Sequence, residues 1–505
     1  MTLDGAILIG SAAEQAEQRF DAIAAATGEA LGPSFSDANA AHVSRACALA
    51  DSARDDFAAT PPEARADFLN AIGANIEALG DALLQRTHLE TALPLARLTG
   101  ERARTINQLA MFADLIRDGA CFDPRVDPAL PERKPAPRPE LRSLRVALGP
   151  VAMFGASNFP FAFSVAGGDA ASALAAGCPV IVKGHPAHPG AGEAVARAII
   201  DAARQTNMPE GVFSYLPGGS HALGAALVSD PRVQAVAFTG SQKAGLALAS
   251  IAAQRPAPIP VFAEMGSVNP VLLAPRKLER DAENLARGFV DSLTLGVGQF
   301  CTNPGLVIAL KGEALDRFAA TAADMLAAID ASAMLTSGMC DAFMQGAQQT
   351  AAHAGVEIVA QGKPGAGAQA LLLRAEARHA LADPALTHEL FGPASLILAC
   401  DTLEEMRALI ASLDGQLTFT IHLDADDEPA IAALTPLLMR KAGRLLANGW
   451  PTGVEVASAM VHGGPFPATT DPRFTSVGAM SIERFLRPIC FQNMPAALLP
   501  ALTRI

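Results

Sequence analysis

The chain reads as an α/β protein built on a doubly wound parallel sheet, and three observations lead there. After Leu148, short apolar runs (PVAMFGAS, PVIVKGHP, VFSYLPGG, AVAFTGSQKAG) alternate with helical stretches such as GAGEAVARAIIDAARQTN. Strands spaced by helices of that length form parallel βαβ units. The runs also end in small or polar residues, at Gly155-Ala156-Ser157-Asn158, Lys183-Gly184-His185 and Thr239-Gly240-Ser241. Ligands bind such sheets at those carboxyl ends. Finally, 505 residues exceed what one hydrophobic core supports, so two or three domains are expected.

Taken in order, the N-terminus MTLDGAILIGSA has no basic start and only a short apolar run, so no secretory signal is expected. Residues 36 to 120 read as helices. In TPPEARADFLNAIGANIEAL, Thr60 is the expected N-cap, with Pro61 in the first turn and Glu63 completing a capping box. Phe68, Ile72, Ile76 and Leu79 follow at helical spacing, and a further helix is expected from 101 to 117 with Ile106, Leu109, Phe112 and Ile116 on one face. The next segment, DPRVDPALPERKPAPRPELRSLRVAL, holds six prolines and cannot be a regular helix. It is a linker, or an extended excursion that leaves one domain and returns.

Composition narrows the partners. The net charge of −13 argues against nucleic acid and against an anionic membrane surface. No apolar run approaches the length of a spanning helix; the longest, 170 to 182, ends at Lys183 and contains Ser172 and Pro179. Seven scattered cysteines without a CxxC pair predict a reducing cytoplasm, no disulfide framework and no thiolate zinc site. Ten histidines show no HExxH, so no metal is expected.

Chemistry concentrates in a few places. In GVGQFCTNPG a lone Cys301 stands among Gly, Gln, Asn and Pro, in backbone able to come close to a ligand. In FAEMGSVNP, Glu264 ends an apolar strand; burial there is expected to raise its pKa, as a general base near neutrality requires. A surface-facing glutamate is the plainer alternative. Asn158 in GASNFPF offers an amide donor of the kind an oxyanion needs, or simply forms a turn. Gly240 and Gly245 flank a helix start that favours a phosphate group or is a plain strand-to-helix turn, and Lys183 ends a strand where it reaches ribose hydroxyls or a phosphate, or is simply solvated. Each signal alone is weak.

Together and in this order, GASNFPF, FTGSQKAG, AEMGSVNP, GVGQFCTNPG and HELFGP resemble the NAD(P)-dependent aldehyde dehydrogenase superfamily over nearly the whole chain. The resemblance implies a Rossmann-type cofactor domain (1–122 and 147–258), an α/β catalytic domain (259–462) and a small β oligomerisation element (123–146 and 463–505). It implies Cys301 as the nucleophile, Asn158 with the Cys301 backbone N–H as the oxyanion hole, and Glu264 as the base that activates water and can help deprotonate the thiol. For the cofactor it implies Glu389 and Phe391 at the nicotinamide side, Lys183 at the adenosine ribose, and Gly240, Ser241 and Gly245 at the turn. Many NAD-preferring members carry a glutamate where Pro186 stands here; with Lys183 and His185 nearby, NADP is expected first, with NAD possible.

ETALPLARLTGERART and the tail MVHGGPFPATTDPRFTSVGAMSIERFLRPICFQNMP resemble the 2-oxoglutarate semialdehyde (2,5-dioxovalerate) dehydrogenase branch. MGSVNP replaces the commoner turn after the glutamate. The implied reaction is NADP-dependent oxidation of 2,5-dioxovalerate; oxidation of medium or long-chain fatty aldehydes is the alternative, and a non-catalytic structural protein on this fold the remote one. A 2-oxo acid requires a cation or several amide donors at the tunnel mouth; Arg287 and Arg473 are the candidate cations, with a structural contact favoured for Arg473. Phe159, Phe161 and Phe163 line an apolar tunnel or belong to the core. A homodimer or homotetramer is expected.

Overall fold

The computed structural model describes residues 2–500 and 502. The outermost residues of the expected terminal segments, 1, 501 and 503–505, lie outside them. The first of two seven-stranded sheets runs, across its width, Val261–Glu264, Ala235–Thr239, Val151–Phe154, Val180–Lys183, Phe213–Leu216, Ile7–Ile9 and Ala12–Glu14. The first five strands are parallel. The chain moves one way from Val151–Phe154 to Phe213–Leu216 and the other way through Ala235–Thr239 to Val261–Glu264. This is a doubly wound sheet, with its crevice where the direction reverses. These strands are short and almost wholly buried because helices cover both faces, so they show continuous apolar runs rather than alternation.

The N-terminal apolar run adds two antiparallel edge strands to this sheet. The second sheet, Val356–Gln361, Leu371–Glu376, Ala394–Cys400, Leu306–Leu310, Val271–Leu273, Gln416–His422 and Ala442–Ala447, is parallel except for its first pair. Of the two readings of the Pro-rich segment, the excursion holds. Arg125–Asp127 and Leu141–Ala147 pair antiparallel with each other, and Leu141–Ala147 pairs with Leu486–Gln492.

Four helices, Ala40–Ala59, Pro62–Ala78, Gly80–Thr91 and Leu95–Asp118, fill the span between. Thr60 is not the N-cap of the second. Pro61 holds that place without a side-chain cap, and the Thr60 hydroxyl donates instead to the Asp56 carbonyl of the preceding helix at 2.9 Å. Only two residues separate the helices, so Thr60 closes one rather than opening the next. Glu63 pairs with Arg117 at 2.9 Å. The last helix begins at Leu95, six residues before the expected start, because Pro94 supplies an N-terminal stop and Gly100 is tolerated within it. Leu109, Phe112 and Ile116 are core.

Candidate active site

The crevice of the first sheet meets the second sheet at the Cys301 loop. After the helix Pro275–Thr294, Gly296, Val297 and Gly298 all take positive φ (55°, 59° and 64°). For a β-branched residue such as Val297 that conformation is strained. At Gly298 a Cβ would lie 2.3 Å from the Gly392 carbonyl, so glycine lets this loop pass against the 389–393 loop. Asn269, also at positive φ, donates from Nδ2 to the carbonyls of Cys301 (2.8 Å) and Asn303 (3.0 Å). Cys301 therefore sits on a loop tied down from both sides.

Its Sγ lies 3.3 Å from His462 Nε2, and that nitrogen lies 3.0 Å from Glu264 Oε1. The three donor atoms fall within 4.8 Å of one another, and no other cluster of His, Cys, Asp or Glu among the described residues is so placed to hold a metal ion. The Ser476 hydroxyl donates to Glu264 Oε2, while the Ser476 N–H donates to the His462 carbonyl at 2.8 Å. His462 and Glu264 are buried, and His462 Nδ1 has no partner among the described residues. A thiol, an imidazole and a carboxylate in contact form a proton path with a nucleophile at one end.

Burial, then the charges of Glu264 and Glu389, push the Cys301 thiol well above its ordinary value. It rests protonated at neutral pH and must hand its proton to a neighbour when it attacks. Glu264 departs from the expected raised pKa. Burial pushes it up, but the opposing pull of His462, the Ser476 hydroxyl and Arg484 leaves it below the ordinary carboxylate value. The apolar strand alone would have raised it; the partners arrive from residues 462 to 484, far away in sequence.

Asn158 is buried just past Val151–Phe154. Its Nδ2 donates to the Gln299 carbonyl at 3.0 Å, which ties the amide to the Cys301 loop. A second amide N–H remains for a developing oxyanion. Phe161 is core, whereas Phe159 packs edge-on against Phe300 with ring centroids 5.3 Å apart, and Phe163 faces the His462 ring at 6.2 Å. Neither arginine proposed for the tunnel mouth lies in this wall. Arg473 forms a forked pair with Asp471 at the surface, and Arg287 donates to Asn284 on an exposed helix face.

The remaining candidates divide into two groups. Glu389 and Phe391 line a small cavity with Ser267, Phe300 and Asn303 beside the cysteine loop. Burial lifts the Glu389 carboxyl to about 7, and a Cβ on Gly266 would lie 2.1 Å from Glu389 Oε2. Lys183 and His185 stand together at the end of Val180–Lys183. Burial lowers Lys183 to about 8, against the pull of Asp37, and its ammonium has no hydrogen-bond partner among the described residues. His185 stacks on His188 and is held neutral by burial, by His188 and by Lys183. Ser241 caps the helix Gln242–Ala253, accepting from Ala244 N–H at 3.4 Å, and exposed Gly240 precedes it. Gly245 is buried against Met265, where a Cβ would lie 2.7 Å from the sulfur. The missing side chain lets that helix approach Met265, just past the Glu264 strand end.

Residues 12–464 match the aldehyde dehydrogenase family. The chain belongs to that family. The dehydrogenase is 55% identical over 505 residues to alpha-ketoglutaric semialdehyde dehydrogenase 2 of Azospirillum brasilense, covering 99% of this chain and 96% of that one. It is 46% identical over 470 residues to alpha-ketoglutaric semialdehyde dehydrogenase of Acinetobacter baylyi, covering 92% and 89%. In fold it is similar to lactaldehyde dehydrogenase from Escherichia coli (TM-score 0.82, 22% identity, 96% and 98% of the two chains).

Sequence reasoning missed three residues of this dehydrogenase's site: His462, Ser476 and Asn269. His462 had a signal, since it is a lone histidine before Gly463-Gly464 in a Gly/Pro-rich stretch. His462→Asn removes the proton acceptor that lies 3.3 Å from the thiol. Iodoacetamide labelling of Cys301 at pH 7 is expected to slow by about 100-fold, and in both proteins to accelerate as pH rises, since the thiol is held protonated. An unchanged rate would exclude His462 from that proton path.

Proposed function

We propose that this dehydrogenase oxidises 2-oxoglutarate semialdehyde (2,5-dioxovalerate) to 2-oxoglutarate. The carrying observation is its 55% identity, over nearly the full length of both chains, to an alpha-ketoglutaric semialdehyde dehydrogenase. Cys301 Sγ attacks the aldehyde carbon, and the thiol proton passes to His462 Nε2, with the Glu264 carboxylate stabilising the charged ring. Asn158 Nδ2 and the Cys301 backbone N–H hold the developing oxyanion. A bound NAD(P) would supply the hydride acceptor for conversion of the Cys301 thiohemiacetal to a thioester. Ionised Glu264 then takes a proton from the water that releases the acid.

The residues fit such a cofactor: a half-buried Lys183 ammonium without a hydrogen-bond partner and a Glu389 carboxyl without a cation, both among the described residues, and exposed Gly240-Ser241 at a helix start. We read NADP ahead of NAD, because Pro186 offers no carboxylate to repel a 2′-phosphate. His185, being neutral, contributes a hydrogen bond there and Lys183 the charge. Ribose hydroxyls bind the ionised form of Glu389. Cofactor affinity is therefore expected to tighten as pH rises through about 7 and to lose that dependence in Glu389→Gln, as titration by fluorescence would reveal.

The three-stranded sheet of Arg125–Asp127, Leu141–Ala147 and Leu486–Gln492 supports the reading of 123–146 and 463–505 as the oligomerisation element of a homodimer or homotetramer. The cofactor and catalytic domains are read as 1–122 with 147–258, and 259–462. Among the described residues no helix is long and apolar enough to cross a membrane. A reducing, cytoplasmic setting is supported by seven free cysteines. The test is kcat/KM for 2-oxoglutarate semialdehyde against hexanal with each cofactor. A clear preference for the dioxo acid is expected; a preference for hexanal would move the protein to the fatty-aldehyde reading.

A further inference from the structure

A 2-oxo acid carries a carboxylate into the site, and neither surface arginine considered above meets it. The helix Leu95–Asp118 brings two others to the wall of the site. Arg97 and Arg104 stand seven positions apart, two turns on one helix face. The Arg97 guanidinium lies 4.6 Å from the Phe300 ring centre and 5.0 Å from that of Phe159. Phe300 immediately precedes Cys301, and Arg97 Nη2 donates to the Asn158 carbonyl at 2.7 Å. The Arg104 guanidinium lies 5.2 Å from the ring of Phe163, which faces His462. Arg104 Nη2 reaches the Val454 carbonyl at 3.4 Å.

Both guanidiniums are left incomplete. Nη1 of Arg97 and Nη1 of Arg104 are buried with no hydrogen-bond partner, and neither side chain has an ion pair among the described residues. A buried charged donor without a partner is costly, and a protein retains one where something else completes it. Glu101, between the two on the helix, exerts its charge on both guanidiniums but forms a salt bridge with neither among the described residues. Its Oε1 accepts the N–H groups of Phe161 and Ala162, at 2.8 and 3.0 Å, and so fixes the loop that carries Phe159 and Phe163. Arg444 is differently engaged: both its Nη atoms donate to carbonyls, of Gly453 and Pro451, at 2.7 and 2.8 Å. Phe159, Phe163, Val454 and Met460 pack together beside Arg97 and Arg104, and the acidic groups that act on Arg104 are Glu101, Cys301, Glu455 and Glu264, none of them a hydrogen-bond partner of its Nη1. Two open cationic N–H donors select a carboxylate over an uncharged chain.

We propose that Arg97 and Arg104 form the specificity pocket that receives the carboxylate end of the substrate while its aldehyde end lies at Cys301. This rests on the reading of the substrate as a short 2-oxo acid semialdehyde. It assigns discrimination between that acid and an uncharged aldehyde to the helix Leu95–Asp118 rather than to the C-terminal segment. Arg97 also positions the oxyanion amide, through its hydrogen bond to the Asn158 carbonyl.

The experiment measures, at saturating cofactor, the ratio of kcat/KM for 2-oxoglutarate semialdehyde to kcat/KM for pentanal. Wild type, Arg104→Met and Arg104→Lys are compared. In Arg104→Met the ratio is expected to fall about 100-fold, with partial recovery in Arg104→Lys. A purely structural arginine would lower both substrates together and leave the ratio unchanged, which overturns the proposal but not the substrate reading. If the wild type itself shows no preference for the dioxo acid, the substrate reading falls and the pocket with it. A probe independent of variant folding is inhibition of pentanal oxidation in the wild type by 2-oxovalerate, compared with neutral 2-pentanone. Stronger inhibition by the acid is expected, and equal inhibition contradicts the pocket.

Discussion

Cys301→Ala is expected to lower kcat by at least about 10⁴-fold, since no other group near the aldehyde replaces a thiol nucleophile. The neighbours make the loss specific. His462 Nε2 stands 3.3 Å from the sulfur and Glu264 3.0 Å beyond it, so removing the thiol leaves a base pair with nothing to deprotonate. Cofactor affinity should change little, because the residues assigned to the cofactor lie at other strand ends and loops. Steady-state kinetics and cofactor titration on the same preparation separate the two effects. Residual turnover within about tenfold of wild type would mean that covalent catalysis at this cysteine is wrong.

The largest expected effect on stability lies behind the site. Arg484 Nη1 pairs with Asp169 Oδ1 at 2.8 Å, with the two side chains 3% and 6% exposed. Arg484→Met strands the Asp169 carboxylate in a buried position, and unfolding free energy is expected to fall by about 3–5 kcal/mol. Burial already pushes the Asp169 carboxyl up, and Arg484 opposes that rise. Without the arginine the folded-state pKa climbs further. The cost is therefore fully present at neutral pH and shrinks as pH falls through that raised folded-state value, where the carboxyl is neutral. Pairing the change with Asp169→Leu should recover much of the loss, since two apolar groups leave no charge stranded. Denaturant unfolding at neutral and acid pH checks both statements. Arg484 also helps hold Glu264 ionised, so the single variant should lose activity beyond what its stability explains.

Much of this protein is readable from local pattern. The strands of the first sheet are continuous apolar runs closed by polar ends, and the Cys301 loop declares itself by glycines and a proline around one thiol. What escaped comes from distant chain segments meeting. Thr60 and Glu63 match a capping box in sequence, yet the closeness of the previous helix decides what Thr60 bonds to. The Glu264 carboxyl was expected high on its apolar strand, and His462, Ser476 and Arg484 reverse the sign. Arg97 and Arg104 share a face of a helix that begins at Leu95, ahead of the apolar periodicity that marks it in the sequence. The N-terminal edge strands were too short to register as periodicity.

The central claim is that an acyl group passes through Cys301 and leaves by water that Glu264 activates. Intact-protein mass spectrometry of Glu264→Gln, mixed with 2-oxoglutarate semialdehyde and NADP, tests it most directly. A lasting adduct with the mass of one 2-oxoglutaryl group is expected, located on Cys301 by peptide mapping and absent from Cys301→Ala. No adduct alongside undiminished turnover, or an adduct on another cysteine, would contradict it.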